Sequence, residues 1–145
     1  MNLTKEKRLI LQAAKQASKV LLKYYGRNEK IKEKSNNSLV SKADLEANRA
    51  IIQIIRKNFP KHSILSEESG LEDNSSDYKW VIDPLDGTHN FIHEIPFFGV
   101  SIALEYKNEI ILGVIHFPVL KMTAVAEKGK GAFLNGKKLK VSRKG

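Results

Sequence analysis

The sequence predicts an α+β fold in which two amino-terminal helices pack on a largely antiparallel sheet. Two observations favour this class. Up to Asn58, apolar side chains recur at intervals of three and four residues, which is the spacing of one helical face. Beyond Pro60 the apolar segments are short and are separated by turn-forming residues, which is typical of consecutive strands.

The first helix is predicted over residues 4–25, with Thr4 as its N-cap and Gly26 as the residue that ends it. Its apolar face would be formed by Ile10, Ala13, Ala14, Ala17, Leu21 and Tyr24. Residues 27–37 are rich in lysine, glutamate and asparagine, and we expect them to form an exposed connector.

The second helix is predicted over residues 41–58. Ser41 is followed three residues later by Asp44, which is the pattern of a capping box. Pro60 prevents the helix from continuing, because proline lacks the amide hydrogen that a helix interior requires. The apolar face of this helix would be formed by Ala47, Ile51, Ile54 and Ile55.

Strands are predicted wherever short apolar segments lie between turn signals. The segments are residues 62–66, 79–82, 98–105, 110–117, 123–127, 133–134 and 137–141. Residues 69–78 are predicted to be a polar loop. Asn135-Gly136 predicts a type I′ hairpin turn, because both central positions of that turn need a positive φ.

Composition limits the class of protein. The chain has 145 residues and no cysteine, so disulfides and thiolate metal sites are excluded. No apolar stretch approaches the roughly 18 residues that a membrane span needs, so we expect no membrane association. We expect a cytoplasmic location, because the first residues lack the apolar segment of a secretory signal.

The net charge of +9 raises the question of a polyanionic partner. The basic residues are mostly lysines scattered along the whole chain, whereas arginine is the preferred residue for planar recognition of phosphates and bases. The distribution therefore favours a solvated, lysine-rich surface. Binding of nucleic acid remains the less favoured alternative.

The chemically informative segment runs from Trp80 to Phe91. An apolar strand ends at Asp83, and Asp86 follows after a turn that contains Pro84, so both carboxylates can face one point. Neighbouring carboxylates repel each other unless a cation or a proton lies between them. Oxygen ligands of this kind suit Mg²⁺, which also keeps water and substrate phosphate oxygens in its shell.

Gly87 and Thr88 are predicted to begin a short helix whose free amide groups can receive phosphate oxygens. Upstream, Glu67 follows the strand predicted over residues 62–66, and it would lie beside Asp83 if the two strands are neighbours. Each motif also has a plain structural interpretation. The aspartate segment can be an ordinary turn with a helix cap, and Glu67-Glu68 can be a solvated acidic loop.

The remaining aromatic residues and the histidines give less information about function. Trp80 and the Phe97-Phe98 pair are predicted to belong to the core. The histidines at positions 62, 89, 93 and 116 lack the spacing of a zinc site. Only His89 adjoins the candidate phosphate turn, and we expect it to be exposed or to act behind the residues that contact the ligand.

Together these motifs resemble the inositol monophosphatase family, which belongs to the lithium-sensitive, magnesium-dependent phosphatases. The resemblance extends from about residue 5 to residue 143. The matching segments, in chain order, are Asp44, Phe59-Pro60, Ser66-Glu67-Glu68-Ser69, Trp80–Phe91, Pro96-Phe97-Phe98, residues 100–104 and residues 129–136.

The resemblance implies a metal site that holds two or three Mg²⁺ ions in the complete enzyme. Its metal ligands fall on Glu67, Asp83, the carbonyl of Leu85, and Asp86. In this scheme Asp83 bridges two ions, and Glu67 positions a metal-bound water.

The resemblance also implies which residues contact the substrate and which act in catalysis. The phosphate group would be bound around Glu67, Leu85, Asp86, Gly87 and Thr88. Glu67, Thr88 and Asp44 fall on the catalytic positions, with Thr88 and Asp44 helping to activate the attacking water. The capping box that begins at Ser41 explains Asp44 without any catalytic role.

Family chains carry a second half whose Trp-Asp motif supplies a further metal ligand and contacts to the substrate. We find no such motif here, so we expect residues 1–145 to be one metal- and phosphate-binding domain, with the carboxy-terminal substrate domain outside this chain. By itself the chain would then be poorly active. We also expect a homodimer, because apolar surface and strand edges left uncovered by the second half favour self-association.

The leading functional hypothesis is Mg²⁺-dependent hydrolysis of small phosphate monoesters, nominally of inositol monophosphate to inositol and phosphate. One alternative is a sugar- or nucleotide-bisphosphate phosphatase of the same group. A second alternative, from another class, is a non-catalytic regulatory module that binds RNA or a protein through its basic surface.

Overall fold

The computed structural model describes residues 1–27 and 39–143. Helix α1 spans Thr4–Tyr24, helix α2 spans Leu39–Asn58, and the short helix α3 spans Thr88–Ile92. Both predicted amino-terminal helices are therefore confirmed. Within the described ranges, the helices are too short or too polar to cross a membrane.

One mixed sheet follows the two long helices. Its strands are β1 (Ser63–Ser66), β2 (Gly70–Glu72), β3 (Tyr78–Asp86), β4 (Gly99–Tyr106), β5 (Glu109–Phe117), β6 (Met122–Glu127), β7 (Gly131–Leu134) and β8 (Lys137–Lys138). The spatial order is β2-β1-β3-β4-β5-β6-β7-β8. Among the described strands, β1 and β3 pair in parallel, and every other neighbouring pair is antiparallel. The predicted α+β class is confirmed.

The core lies between the helices and one face of the sheet. Helix α1 contacts β4 and β5, and helix α2 contacts β3. The largest fully buried side chains come from both layers and include Leu21, Ile51, Trp80, Ile102 and Leu112. Burial of this apolar surface is the main force that holds the two layers together.

The helix ends differ from the sequence-based prediction. Thr4 is the first helical residue rather than the cap, and its amide donates to Oδ1 of Asn2 at 3.0 Å. Gly26, with a φ of 76°, follows the C-cap and is confirmed as the residue that ends α1. Apart from Arg27, the predicted connector over residues 27–37 lies outside the described residues.

The capping box at Ser41 is wrong. Helix α2 is already formed at Leu39, so Ser41 lies inside the helix and is only 7% exposed. An N-cap residue has a non-helical backbone, which Ser41 does not have. The structure therefore removes the local explanation that the sequence offered for Asp44.

Two strand predictions also need correction. The segment predicted as a polar loop, residues 69–78, contains β2, which pairs with β1 at the edge of the sheet. The last predicted strand, residues 137–141, ends at Lys138. Both errors concern edge strands, whose backbone pairing depends on a neighbour rather than on an apolar pattern of their own.

The predicted hairpin turn is confirmed. Asn135 and Gly136 have φ values of 48° and 80°, as a type I′ turn requires. Trp80 and Phe98 are each 1% exposed and belong to the core as predicted, but Phe97 is 56% exposed. Successive side chains in an extended segment point to opposite sides, so only one of the two phenylalanines can enter the core.

Candidate active site

The candidate site begins where β1 ends beside β3. These strands pair in parallel, with Ser66 opposite Ile82. The next amide, that of Glu67, donates to the carbonyl oxygen of Ile82 at 3.0 Å. Glu67 and Asp83 therefore emerge from adjacent strands at the same end of the sheet, and the expectation that the two strands are neighbours is confirmed.

The carboxyl groups of Glu67 and Asp83 are close enough to affect each other's ionisation. Burial, interaction with the Glu67 carboxyl group and the negative charges of Glu67 and Asp86 raise the pKa of Asp83 to about 7. The amide of Leu85 opposes the shift by donating to Oδ1 of Asp83 at 3.3 Å. Two neighbouring carboxylates repel each other, so this arrangement favours a proton or a cation between them.

A β-bulge separates Asp83 from Asp86. Asp83 lies opposite Ser101 and Asp86 lies opposite Gly99, so β3 has one more residue than β4 between these two pairs. The bulge includes Pro84, whose nitrogen carries no hydrogen and therefore cannot donate a hydrogen bond to the neighbouring strand. The bulge leaves Asp83 half-buried, buries Leu85 and exposes Asp86.

Gly87 is the turn between β3 and α3. Its φ is 85°, and a Cβ added there would lie 3.1 Å from the carbonyl oxygen of Phe97. Only glycine suits both the backbone conformation and the available space. The hydroxyl of Thr88, the first residue of α3, donates to the carbonyl oxygen of Leu85 at 3.5 Å, which is long for such a bond.

Asp44 and Thr88 lie on two helices that are in contact with each other. Asp44 lies on α2 and is 5% exposed, and α2 contacts α3. However, the described hydrogen bond of the Thr88 hydroxyl goes to Leu85. The proposed action of Thr88 and Asp44 as a pair stays a prediction. His89 is exposed, as the sequence predicted.

The donor set fits a hard cation. In residues 1–27 and 39–143, no group of three histidine, aspartate or glutamate side chains is arranged to hold a metal ion. Glu67 and Asp83 nevertheless lie side by side on adjacent strands, and the negative charge of Asp86 contributes to the raised pKa of Asp83. Carboxylate oxygens held together in this way suit Mg²⁺ or Mn²⁺ better than zinc.

Sequence reasoning missed Asn48. This side chain is 4% exposed and bonds to both Ser66 and Ser69, which flank Glu67 in the chain. A signal was present in the sequence. Asn48 falls four residues after Asp44 and one after Ala47, so it interrupts the apolar face of α2 with a polar group.

Comparison with known proteins agrees with this fold. The model of the inositol monophosphatase family matches residues 3–145. "Nus factor SuhB" of Pasteurella multocida is 42% identical over 139 residues, which are 94% of this chain and 52% of the relative. The "Fructose-1,6-bisphosphatase/inositol-1-monophosphatase" of Thermotoga maritima is 42% identical over 124 residues, which are 85% of this chain and 48% of the relative.

A solved structure shares the architecture. The extragenic suppressor protein suhB of Bartonella henselae aligns with a TM-score of 0.86 and 38% identity, over 97% of this chain and 56% of that one. The fold is thus that of an inositol monophosphatase-like phosphatase. The chain belongs to the inositol monophosphatase family. It spans about half the length of the curated relatives that it matches.

Proposed function

We propose that the protein containing this chain hydrolyses small phosphate monoesters with the help of Mg²⁺. The observation that carries the proposal is the placement of Glu67 and Asp83 side by side, where β1 ends beside β3. Such a pair is electrostatically unfavourable without a proton or a cation. A role in metal binding explains why the fold keeps the two carboxyl groups together.

The residues divide into three roles in this proposal. Glu67, Asp83, Asp86 and the Leu85 carbonyl would hold the metal, which lowers the pKa of a bound water and neutralises phosphate charge. The amides of Gly87 and Thr88 would receive phosphate oxygens. The Thr88 hydroxyl and Asp44 would orient the attacking water. Residues 1–145 would form one metal- and phosphate-binding domain.

Inositol monophosphate is the nominal substrate. Similarity to the Thermotoga protein, whose name includes fructose-1,6-bisphosphatase, supports a sugar bisphosphate as the alternative. The relevant assay measures phosphate released from inositol monophosphate, fructose-1,6-bisphosphate and a nucleotide bisphosphate, with and without Mg²⁺. We expect release that requires Mg²⁺ and falls when lithium is added. Failure to cleave every member of the panel would overturn the proposal.

A second candidate function is a regulatory module that binds RNA or a protein. The similarity to "Nus factor SuhB", a protein not named for catalysis, favours it, as does the net charge of +9. RNA binding that weakens steeply with salt, in a protein without phosphatase activity, would support this alternative. A regulatory role alone needs no metal site. If Asp83→Asn keeps RNA binding, then RNA binding does not depend on the metal site that phosphatase activity would require.

We also propose a homodimer. Support comes from the sheet face opposite the helices, where small side chains of β4, β5, β6 and β7 line a groove of about 240 Å³. Ile115 on this face is 39% exposed. Uncovered apolar surface of this kind favours association. Light scattering should show a mass above that of the monomer, and a strict monomer over a wide concentration range would contradict it.

A further inference from the structure

The segment that carries Glu67 is tied to helix α2 by one buried side chain. Asn48 accepts a hydrogen bond at Oδ1 from the hydroxyl of Ser66 at 2.6 Å. Its Nδ2 donates to Oγ of Ser69 at 3.1 Å. The two serines stand one residue before and two residues after Glu67, so Asn48 holds this short segment at both ends.

The hydrogen bonds run in one direction, which fixes the orientation of the Asn48 amide. The amide of Glu68 donates to Oγ of Ser66 at 3.1 Å. The Ser66 hydroxyl is then free to donate to the Asn48 oxygen, and the Asn48 NH₂ group faces Ser69. Asparagine offers both the acceptor and the donor that this arrangement uses, whereas leucine or alanine offers neither.

Asn48 itself is firmly anchored. Ala47 and Ile51 on the same helix are fully buried, and Asn48 is 4% exposed. On its other side, Glu67 is fixed to β3 through the bond from its amide to the carbonyl oxygen of Ile82. The segment is therefore held between helix α2 and strand β3. Of these two anchors, only the one to α2 depends on a side chain that can be changed.

We propose that Asn48 is a positioning residue that sets the Glu67 carboxylate against Asp83 for metal binding. The inference rests on the proposed function. Asn48 bonds to neither carboxylate in the described hydrogen bonds, and it acts through Ser66 and Ser69. Residues that orient metal ligands from behind typically change metal affinity about 10–100-fold when they are replaced.

The first test is calorimetric titration of the purified protein with Mn²⁺ and Mg²⁺. Asn48→Ala should weaken binding about tenfold. Asn58→Ala is the matched control, because Asn58 lies on the same helix and its side chain donates to the carbonyl oxygen of Ile54 at 2.8 Å, away from the Glu67 segment. The control variant should lower thermal stability while leaving metal affinity unchanged.

The second test measures whether Asn48 and Ser66 act as one unit. The double variant Asn48→Ala/Ser66→Ala should bind Mn²⁺ scarcely more weakly than either single variant, because both remove the same connection. Losses that add in full would overturn the inference. The inference would also be overturned by an Asn48→Ala protein that melts at a lower temperature but keeps the metal affinity of the wild type.

A third measurement needs no metal and separates this inference from the proposed function. Hydrogen exchange of the Glu68 amide should accelerate in metal-free Asn48→Ala by more than its loss of global stability explains, since that amide bonds to Ser66. Unchanged exchange would overturn the positioning role. A wild-type protein that binds no divalent cation and cleaves no phosphate monoester would overturn the proposed function, whatever the exchange result.

Discussion

The indole nitrogen of Trp80 donates a hydrogen bond to Nδ1 of His62, with 3.1 Å between the two atoms. The imidazole also stacks on the rings of Phe59 and Tyr78, with centroids 4.9 and 4.7 Å away. Because Nδ1 is the acceptor, the neutral ring carries its proton on Nε2. Protonation of Nδ1 would remove the acceptor that the buried indole needs.

This arrangement predicts an acid-sensitive fold. Burial lowers the pKa of His62 and the charge of Lys5 adds to the shift, although the charge of Glu6 opposes it. The folded protein therefore favours neutral His62. The stability that neutral His62 contributes is fully present above the unfolded pKa of 6.5. It is lost as the pH falls through and below that value, because the unfolded chain then binds more protons than the folded one.

Urea unfolding at pH 7.5 and pH 5.5 tests this prediction. The wild type should lose stability at the lower pH, and His62→Asn, which keeps an acceptor for Trp80, should lose less. A remaining difference is expected, because burial also lowers the pKa of His116. The explanation fails if His62→Asn and the wild type show the same change between the two pH values.

Asp83→Asn should remove metal binding. We expect the isolated chain to bind Mg²⁺ or Mn²⁺ weakly at one site. Glu67, Asp86 and the Leu85 carbonyl need Asp83 to complete the metal shell, so replacing Asp83 should remove the site. Asp77→Asn changes the charge equally at an exposed position just before the opposite end of β3 and should leave binding intact. Calorimetry that shows two tight sites in the wild type would contradict the account.

Gly87→Ala should be more harmful than Gly70→Ala. Both glycines have a positive φ, 85° and 79°, so each alanine costs about 1–2 kcal/mol of backbone strain. At Gly87 the added Cβ also meets the carbonyl oxygen of Phe97 at 3.1 Å, whereas Gly70 has nothing within 4 Å. The melting temperature and the rate of phosphate release should both fall further in Gly87→Ala than in Gly70→Ala. Equal losses would show that space at Gly87 is unimportant.

Thr88→Ala should lower kcat and leave KM and metal affinity nearly unchanged. A residue that positions the attacking water contributes about 10²–10⁴-fold, and a loss confined to kcat indicates an interaction made mainly in the transition state. Thr88→Ser keeps a hydroxyl and should retain most activity. If Thr88 only starts α3, both variants would instead lose about 1 kcal/mol of stability or less, with little effect on kcat.

Asp44→Asn extends this test. If Asp44 and Thr88 act as one unit, the double variant should be scarcely slower than either single variant. In the structure the Thr88 hydroxyl bonds to the carbonyl oxygen of Leu85, and Asp44 is buried on α2, which contacts α3. Steady-state kinetics in which the two losses multiply would show that Asp44 has a separate, structural role.

The sequence by itself determined the features that depend on local chemistry. The three-and-four spacing of apolar residues fixed helices α1 and α2, since one helical face must be buried. Asn135-Gly136 fixed a hairpin turn, since both residues accept a positive φ. The order of Asp83, Asp86 and Gly87 predicted a turn that carries carboxylates, and the structure has a β-bulge there instead, with β3 continuing to Asp86.

Only the tertiary structure decided which distant segments meet. The parallel pairing of β1 with β3 brings Glu67 to Asp83, and no local pattern near Glu67 encodes that neighbour. The same is true of Asn48, whose polar side chain interrupts an apolar helix face and makes sense only beside Ser66 and Ser69. Strand pairing and buried polar contacts depend on how distant parts of the chain pack. A buried polar group needs a hydrogen-bond partner, and that partner can come from any segment that the fold brings next to it.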